Sequence, residues 1–425
     1  MKVTIPYGVT KLTLSLDAGL QVQILQTGNG REAVPASPNR LVGEAMASPI
    51  GSPPLRELAR HKRDAVIICS DHTRPVPSRQ IIPPMLRELR EGNPSIHITL
   101  LIATGAHRAT TRDELAQKLG GDIVSREHIA VHDCCAREEL CLLGVLPSGA
   151  PLVISKLAAQ TELLLAEGFI EPHFFAGYSG GCKSVLPGVC GRQTVLGNHC
   201  AAFIDSPLAR AGILNGNPIQ ADMTAAAKMA GLRFIVNVVL DGEKRIAAVF
   251  AGDAFCAHAA GCSHLDSLCR VRATAPGDIV VTSNGGAPLD QNLYQAVKGL
   301  STAEAAAAPG AVLVICAACA DGIGGESFHH MLRDCESPGQ LLRAIRGVPA
   351  NRTQPDQWQV QVLARILEKH RVIVVCDPPV RAAVREMKME AAGSLDEAVA
   401  AALAEKGRHA RIVVIPDGVS VVAGT

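Results

Sequence analysis

Asp64–Pro75 reads DAVIICSDHTRP: five apolar residues in a row, then a polar turn closed by proline. A strand that is apolar on both faces needs cover on both faces, and parallel sheets flanked by helices provide it. The same phrase recurs along the chain. ITLLIAT (Ile98–Thr104), ELLLAEGFI (Glu162–Ile170), RFIVNVVL (Arg233–Leu240) and IAAVFAG (Ile246–Gly252) read as further strands. A helical pattern over Ser78–Glu91, interrupted by Pro83 and Pro84, follows the first of them. A second series runs through DIVVTS (Asp278–Ser283), AVLVICA (Ala311–Ala317), RVIVVCD (Arg371–Asp377) and RIVVIPD (Arg411–Asp417). Helical patterns over 292–307, 356–369 and 394–405 separate these. Strands alternating with helices predict an α/β fold: two α/β domains with mostly parallel sheets and the active site in the cleft between them. SLCRVRATAPGD (Ser267–Asp278) is the boundary, giving units over 1–270 and 275–425, with the last strand free to cross back.

Composition narrows the partners. The chain has 425 residues, 48% hydrophobic and 19% charged, with a net charge of +1. That balance leaves no electrostatic footprint for nucleic acid or an acidic membrane surface. Aromatic residues are 3%, too few for base-stacking platforms. The N-terminus, MKVTIPYGVTKLTLSLDAG, alternates like a strand and lacks the apolar core of a signal peptide. No run is long enough to span a bilayer. A soluble, cytoplasmic protein is expected, with no nucleic-acid or membrane partner.

The 14 cysteines are scattered and several sit inside apolar strands, as buried reduced thiols do. Cys316 and Cys319 form a CxxC that no second pair answers. Cys256, His258, Cys262 and His264 fall on a helical pattern, best read as a surface helix.

Polar residues gather where strands end, and in open α/β sheets ligands bind outside the carboxyl ends of strands. SDHTRP supplies Asp71 and Arg74, TGAHR supplies His107, and SNGGAPLDQNLYQAVKG supplies Gln291, Tyr294, Gln295 and Lys298. Arg74 could hold a carboxylate bidentately; the plainer alternative is a solvated arginine on a turn that Asp71 stabilises. Gln291, Gln295 and Lys298 have the spacing of one helix face, bound or merely solvated. The densest loop is GFIEPHFFAGYSGGCKSVLPGVCGRQTVLGNH (Gly168–His199). It joins His173, a glycine-rich turn, Lys183 and His199. Glycines let backbone approach a ligand, lysine can neutralise a phosphate or form a covalent bond, and imidazoles bind metal or move protons. A phosphorylated cofactor with a metal fits that set. A P-loop would need glycine at position 182, where the chain has Cys182, so ATP hydrolysis is a poor fit. Phosphate cradling by the amides of Ser179, Gly180 and Gly181 is still open. His107 and His173 follow neighbouring strands and are expected to face each other across a ligand.

These segments, in this order and together with DQWQVQVLARIL (Asp356–Leu367), resemble the lactate racemase family, whose members use a nickel pincer nucleotide. The resemblance spans most of the chain. It implies that Lys183 carries the cofactor, a pyridinium-3-thioamide-5-thiocarboxylic acid mononucleotide, through a thioamide. It implies His199 as the protein ligand to nickel and His107 and His173 as an acid/base pair. Arg74, Gln295 and Lys298 then hold the substrate, with Trp358 near it. Asp71, Ser179, Gly180, Gly181 and Tyr294 lie on the cofactor side. Cofactor-building and nickel-inserting enzymes become transient partners.

Chemistry explains that parts list. Racemising a 2-hydroxy acid breaks an unactivated C–H bond beside a carboxylate. An imidazole with an ordinary pKa of about 6.5 cannot deprotonate so weak a carbon acid. Removal of hydrogen as hydride avoids the carbanion and gives a 2-keto acid that can be reduced from its other face. Lactate is the first expectation. Malate, 2-hydroxyglutarate, a longer aliphatic acid or an aldonate is the alternative. A second carboxylate would need another cation, and Arg352 is a candidate. A non-catalytic carrier of the nucleotide would need neither His107 nor His173. A nicotinamide dehydrogenase would need a GxGxxG fingerprint that the chain lacks.

Overall fold

The computed structural model describes residues 1–27 and 37–424. Two large sheets are built from β1 (Gln21–Ile24), β2 (Asp64–Ser70), β3 (His97–Ala103), β4 (His128–Val131), β5 (Leu164–Phe169), β6 (Leu232–Leu240), β7 (Ile246–Asp253), β8 (Gly277–Ser283), β9 (Ala307–Cys316), β10 (Arg371–Val375), β11 (Glu390–Ala392) and β12 (Arg411–Ile415). The first sheet has the order β7-β6-β5-β2-β3-β4 and the second β11-β10-β9-β8-β12-β1. Every neighbour pair is parallel except β6 with β7. The α/β class read from the sequence is therefore what the chain adopts.

Alternation along the strands shows why. In β2 and β5, Val66, Ile68, Leu164 and Ala166 join one buried cluster, while Ala65, Ile67, Cys69 and Leu165 join another on the opposite face. In β8 and β9, Val280, Leu313 and Ile315 share the first of those clusters, and Ile279, Val281, Val312 and Val314 face a third. Successive side chains point to opposite faces of a strand, so each sheet has core on both sides. The cluster holding Ile68 and Leu164 also holds Leu313 and Ile315, so apolar packing continues from one unit into the other.

The structure corrects the sequence reading in several places. The first 25 residues do not stay with the first sheet. β1 pairs in parallel with β12, and the hairpin Lys2–Tyr7/Thr10–Ser15 buries Val3, Ile5 and Leu14 against the second sheet. The strand at Arg411 remains in the second sheet; what crosses back is the short Val422–Gly424, which pairs with Arg270–Arg272. α1 (Ser78–Gly92) runs through Pro83 and Pro84 without a break. Burial of Ile81, Ile82, Met85 and Leu89 outweighs the lost backbone bonds. No helix among the described residues is long and apolar enough to cross a membrane.

Each sheet has one place where the chain reverses its direction of growth. In the first it lies between β2 and β5; in the second, between β8 and β12. Strand order that diverges in this way opens a crevice at the carboxyl ends. The loops after β2, β5 and β8, with the loop after β3, carry most of the candidate site residues.

Candidate active site

A small cavity lies where the two crevices meet. Glu171, His173 and Phe174 line it from the loop after β5, and Asn284, Lys298 and Val419 line it from the second unit.

The loop after β2 is a tight turn. Asp71 Oδ1 accepts from the Thr73 amide at 3.2 Å and the Thr73 hydroxyl at 2.7 Å. Its other oxygen lies 2.7 Å from Nδ1 of His107, which arrives from the loop after β3. Burial pushes the Asp71 carboxyl up, but the hydrogen bond and charge of His107, with Arg74 nearby, hold it down at about 2. The anion therefore fixes a hydrogen on His107 Nδ1 and leaves Nε2 as an acceptor. β3 and β5 are not neighbours; β2 lies between them, and its Asp71 and Arg74 sit between the two histidine loops.

His173 has the opposite arrangement. Its Nδ1 accepts from the Ala176 amide at 3.2 Å, and its Nε2 is 3.5 Å from Lys183 Nζ. Burial, with Lys183, Lys298 and Arg74 around it, holds the imidazole neutral, well below its ordinary pKa. A neutral ring that accepts at Nδ1 carries its hydrogen on Nε2.

Lys183 follows the glycine turn. Gly180 and Gly181 have φ of 78° and 52°, a backbone that suits glycine. A Cβ on Gly181 would lie 2.5 Å from the ring of His258. The amide cradle expected here is mostly absent, because two of its three donors are already paired. Ser179 N–H donates to the Glu171 carbonyl at 2.9 Å and Gly181 N–H to Asn237 Oδ1 at 2.8 Å, which leaves Gly180. The turn shapes the approach to Lys183. Burial lowers the Lys183 amine to about 7, helped by Arg74 and Lys298 and opposed by Glu171. A lysine of that kind is unprotonated in a substantial share of molecules near neutrality and is a nucleophile.

His199 ends α2 (Arg192–Asn198) and is buried. Its Nδ1 donates to the Val195 carbonyl at 2.9 Å, which leaves Nε2 with a free lone pair. Burial and the charge of Lys183 lower its pKa to about 3. Phe175 and Trp358 stand edge-on to the ring, with centroids 5.2 Å and 5.0 Å away. Neutral imidazole held by a backbone carbonyl is the form that ligates a metal. Among the described residues the one metal-sized group of His, Cys or carboxylate ligands is the surface trio Asp133, Cys134 and Cys135. His199 belongs to no such group.

α4 (Leu293–Ala305) follows α3 (Cys256–Cys269) in the chain and begins after the N-cap Asn292, so Gln291 falls outside the helix face proposed for it. Gln295 and Lys298 lie half-buried on that helix. Burial and Arg74 lower the Lys298 amine to about 8, against Glu171. Tyr294 packs on Phe328 at 5.3 Å, and burial with the nearby Asp356 pushes its hydroxyl up. Trp358 lies on α5 (Gln357–Lys369). Arg352 is exposed and does not line the cavity.

Sequence reasoning missed three residues. Glu171 was quoted but given no role. Asn237 ties β6 to the glycine turn. His258 was assigned to a surface helix, yet it is buried, with Nε2 2.8 Å from the Ser179 carbonyl. The i, i+4 spacing to Cys262 is real, with Sγ 3.4 Å from His258 Nε2, and it serves packing. Cys316 and Cys319 are buried, and burial raises both thiols.

Comparison with known proteins follows the same outline. Residues 7–212 match the family model described as lactate racemase N-terminal domain, and residues 272–423 the lactate racemase C-terminal domain. The lactate racemase of Thermoanaerobacterium thermosaccharolyticum is 47% identical over 420 residues, covering 99% of this chain and 98% of the relative. That of Lactiplantibacillus plantarum is 45% identical over 424 residues, covering 99% of each. The solved lactate racemase apoprotein from T. thermosaccharolyticum superimposes with a TM-score of 0.97 at 46% identity over 100% of both chains.

Proposed function

Since the chain belongs to the lactate racemase family, we propose that it is an isomerase that interconverts the D and L forms of a 2-hydroxy acid, lactate first. The observation that carries this reading is the pairing of a lysine of depressed pKa with an open imidazole nitrogen. Lys183 is lowered to about 7 beside His173, and His199 presents Nε2 outside the one three-residue ligand group found among the described residues. Those two groups fit a nickel pincer nucleotide, Lys183 as its thioamide attachment and His199 as the protein donor to nickel. When bound, that cofactor supplies a hydride acceptor, so that the substrate C–H bond breaks without a carbanion.

The remaining work falls to the chain. Arg74 and Lys298 are the cations for the substrate carboxylate, from opposite sides of the cleft, with Gln295 beside Lys298. The hydroxyl proton goes to His107 Nε2, the ring nitrogen left free by the hold of Asp71 on Nδ1. His173 is the second acid/base imidazole; its buried ring rests neutral, so it takes up a proton before it returns one to the product enantiomer. Traffic in the other direction starts from the reversed protonation states, and two imidazoles therefore serve two mirror-image substrates. Trp358 and Phe175 keep water from His199, and Tyr294 backs this wall on the cofactor side. A mere carrier of the nucleotide has no use for His107 and Asp71. Arg352, the candidate cation for a second carboxylate, is exposed and lies outside the cavity.

The active form depends on cofactor-building and nickel-inserting enzymes, and so on their compartment, the cytoplasm. The test is production with and without those partners, followed by intact mass and chiral chromatography. The matured protein should carry an adduct on Lys183 and bring either lactate enantiomer to a one-to-one mixture. Deuterium at C2 should stay with the substrate through inversion. Loss of that label to water, or a fully active protein without the adduct, would sink the hydride reading. Turnover of malate without lactate would move the substrate.

A further inference from the structure

The cleft holds more positive charge than one substrate carboxylate requires. Arg74 disfavours the protonated form of both Lys183 and Lys298, and the two lysines share one opposing anion, Glu171. Glu171 and Lys298 line the same cavity from different units. The main chain of Glu171 is clamped. Its N–H donates to the Ser179 hydroxyl at 2.9 Å, and its carbonyl accepts from the Ser179 amide at 2.9 Å. Ser179 is anchored in turn to the Phe169 carbonyl at 3.0 Å. No hydrogen bond or close ion pair holds the Glu171 carboxylate among the described residues. A carboxylate spent on fold stability would have such a partner; this one acts through the field of the cleft.

We infer that Glu171 is a positioning residue: the shared counter-anion of Arg74, Lys183 and Lys298, which keeps Lys298 charged for the arriving substrate carboxylate. The role assigned to Lys298 rests on the racemase reading above. Burial raises Glu171, while Lys298, Arg74, Lys244 and Lys183 pull the other way. Lys298 sits at about 8, so losing one nearby negative charge takes it through neutrality at working pH. His173 faces the same cations and stays neutral with or without Glu171.

Two variants test this, Glu171→Gln and Glu171→Asp. In the matured enzyme, Glu171→Gln should raise KM for lactate about fivefold at about pH 8 and leave it no higher than wild type at about pH 6.5, with kcat within about twofold. Glu171→Asp should restore most of the difference. A second readout needs no activity. The apoprotein is labelled by reductive methylation with carbon-13, and the Lys298 signal, assigned through Lys298→Arg, is titrated by NMR. Its midpoint should fall by about one pH unit in Glu171→Gln and hold in Glu171→Asp. A KM change independent of pH, or an unmoved Lys298 midpoint, would overturn the inference. If the wild type racemised no 2-hydroxy acid, the titration would still decide whether Glu171 is the counter-anion.

Discussion

His107 Nδ1 lies 2.7 Å from Asp71 Oδ2, with the aspartate buried and the imidazole partly exposed. A hydrogen bond between an anion and a ring decides which nitrogen carries the proton. The other nitrogen then has a defined job. The Ala176 amide at His173 Nδ1 and the Val195 carbonyl at His199 Nδ1 fix the other two rings in the same way, so the three histidines differ in role because their Nδ1 partners differ.

Asp71→Asn should expose this dependence. The amide can donate to Nδ1 and leave the hydrogen on Nε2, which disables the base without moving it. We expect kcat to fall about a hundredfold or more while KM changes less than about threefold. Initial rates from each enantiomer, read by chiral chromatography, measure it. An unchanged kcat would remove Asp71 from the proton path.

His199→Ala separates metal binding from attachment. Lys183 and its glycine turn do not depend on the His199 ring for any hydrogen bond. The variant, matured with its partners, should keep the mass adduct on Lys183 and lose most of its nickel, to below about a tenth of wild type. Elemental analysis beside intact mass gives both numbers. Full nickel occupancy would show that the ligand lies elsewhere.

Gly181→Ala tests the turn. The residue has φ of 52°, and an added Cβ would meet the His258 ring at 2.5 Å. His258 cannot step aside without losing its 2.8 Å bond to the Ser179 carbonyl. A loss of about 2 kcal/mol or more in urea unfolding is expected, together with poor attachment at Lys183. Normal stability would mean that His258 relaxes freely.

Much of this was legible in the sequence, and particular residues show why. Asp64–Ser70 and Asp278–Ser283 are apolar on both faces, a pattern that only a covered sheet explains, and their ends named the cleft loops. Gln21–Ile24 alternates and is half-buried, so the local pattern marks a strand but not the sheet it joins. Its partner is 390 positions away at Arg411. Glu171 stood in plain view, yet its meaning depends on Arg74 and Lys298, which meet it only in the fold. His258 drew attention for the wrong reason, since cysteine spacing hinted at metal and the real contact is a backbone carbonyl on another element. The amide cradle failed for the same cause: Asn237, which occupies the Gly181 amide, lies 56 positions away.

The lysine makes the sharpest claim about pH. In the folded chain its amine is lowered to about 7 by burial, Arg74 and Lys298. In the unfolded chain it returns to about 10.4, the ordinary value. Between those pH values the unfolded state binds more protons, so this group makes the apoprotein more stable as pH rises through the window and less stable as pH falls toward 7. Lys183→Met removes the penalty while keeping an unbranched side chain. The apoprotein of that variant should melt about 3 °C higher at about pH 7, and the advantage should fade by about pH 10. The same depressed amine should react first with a limiting acylating reagent, with a rate that levels off above about pH 8, where surface lysines are still accelerating. Peptide mass mapping reads the site. A Lys183 that labels no faster than surface lysines, in a protein that Lys183→Met does not stabilise, would be an ordinary protonated side chain and no attachment point.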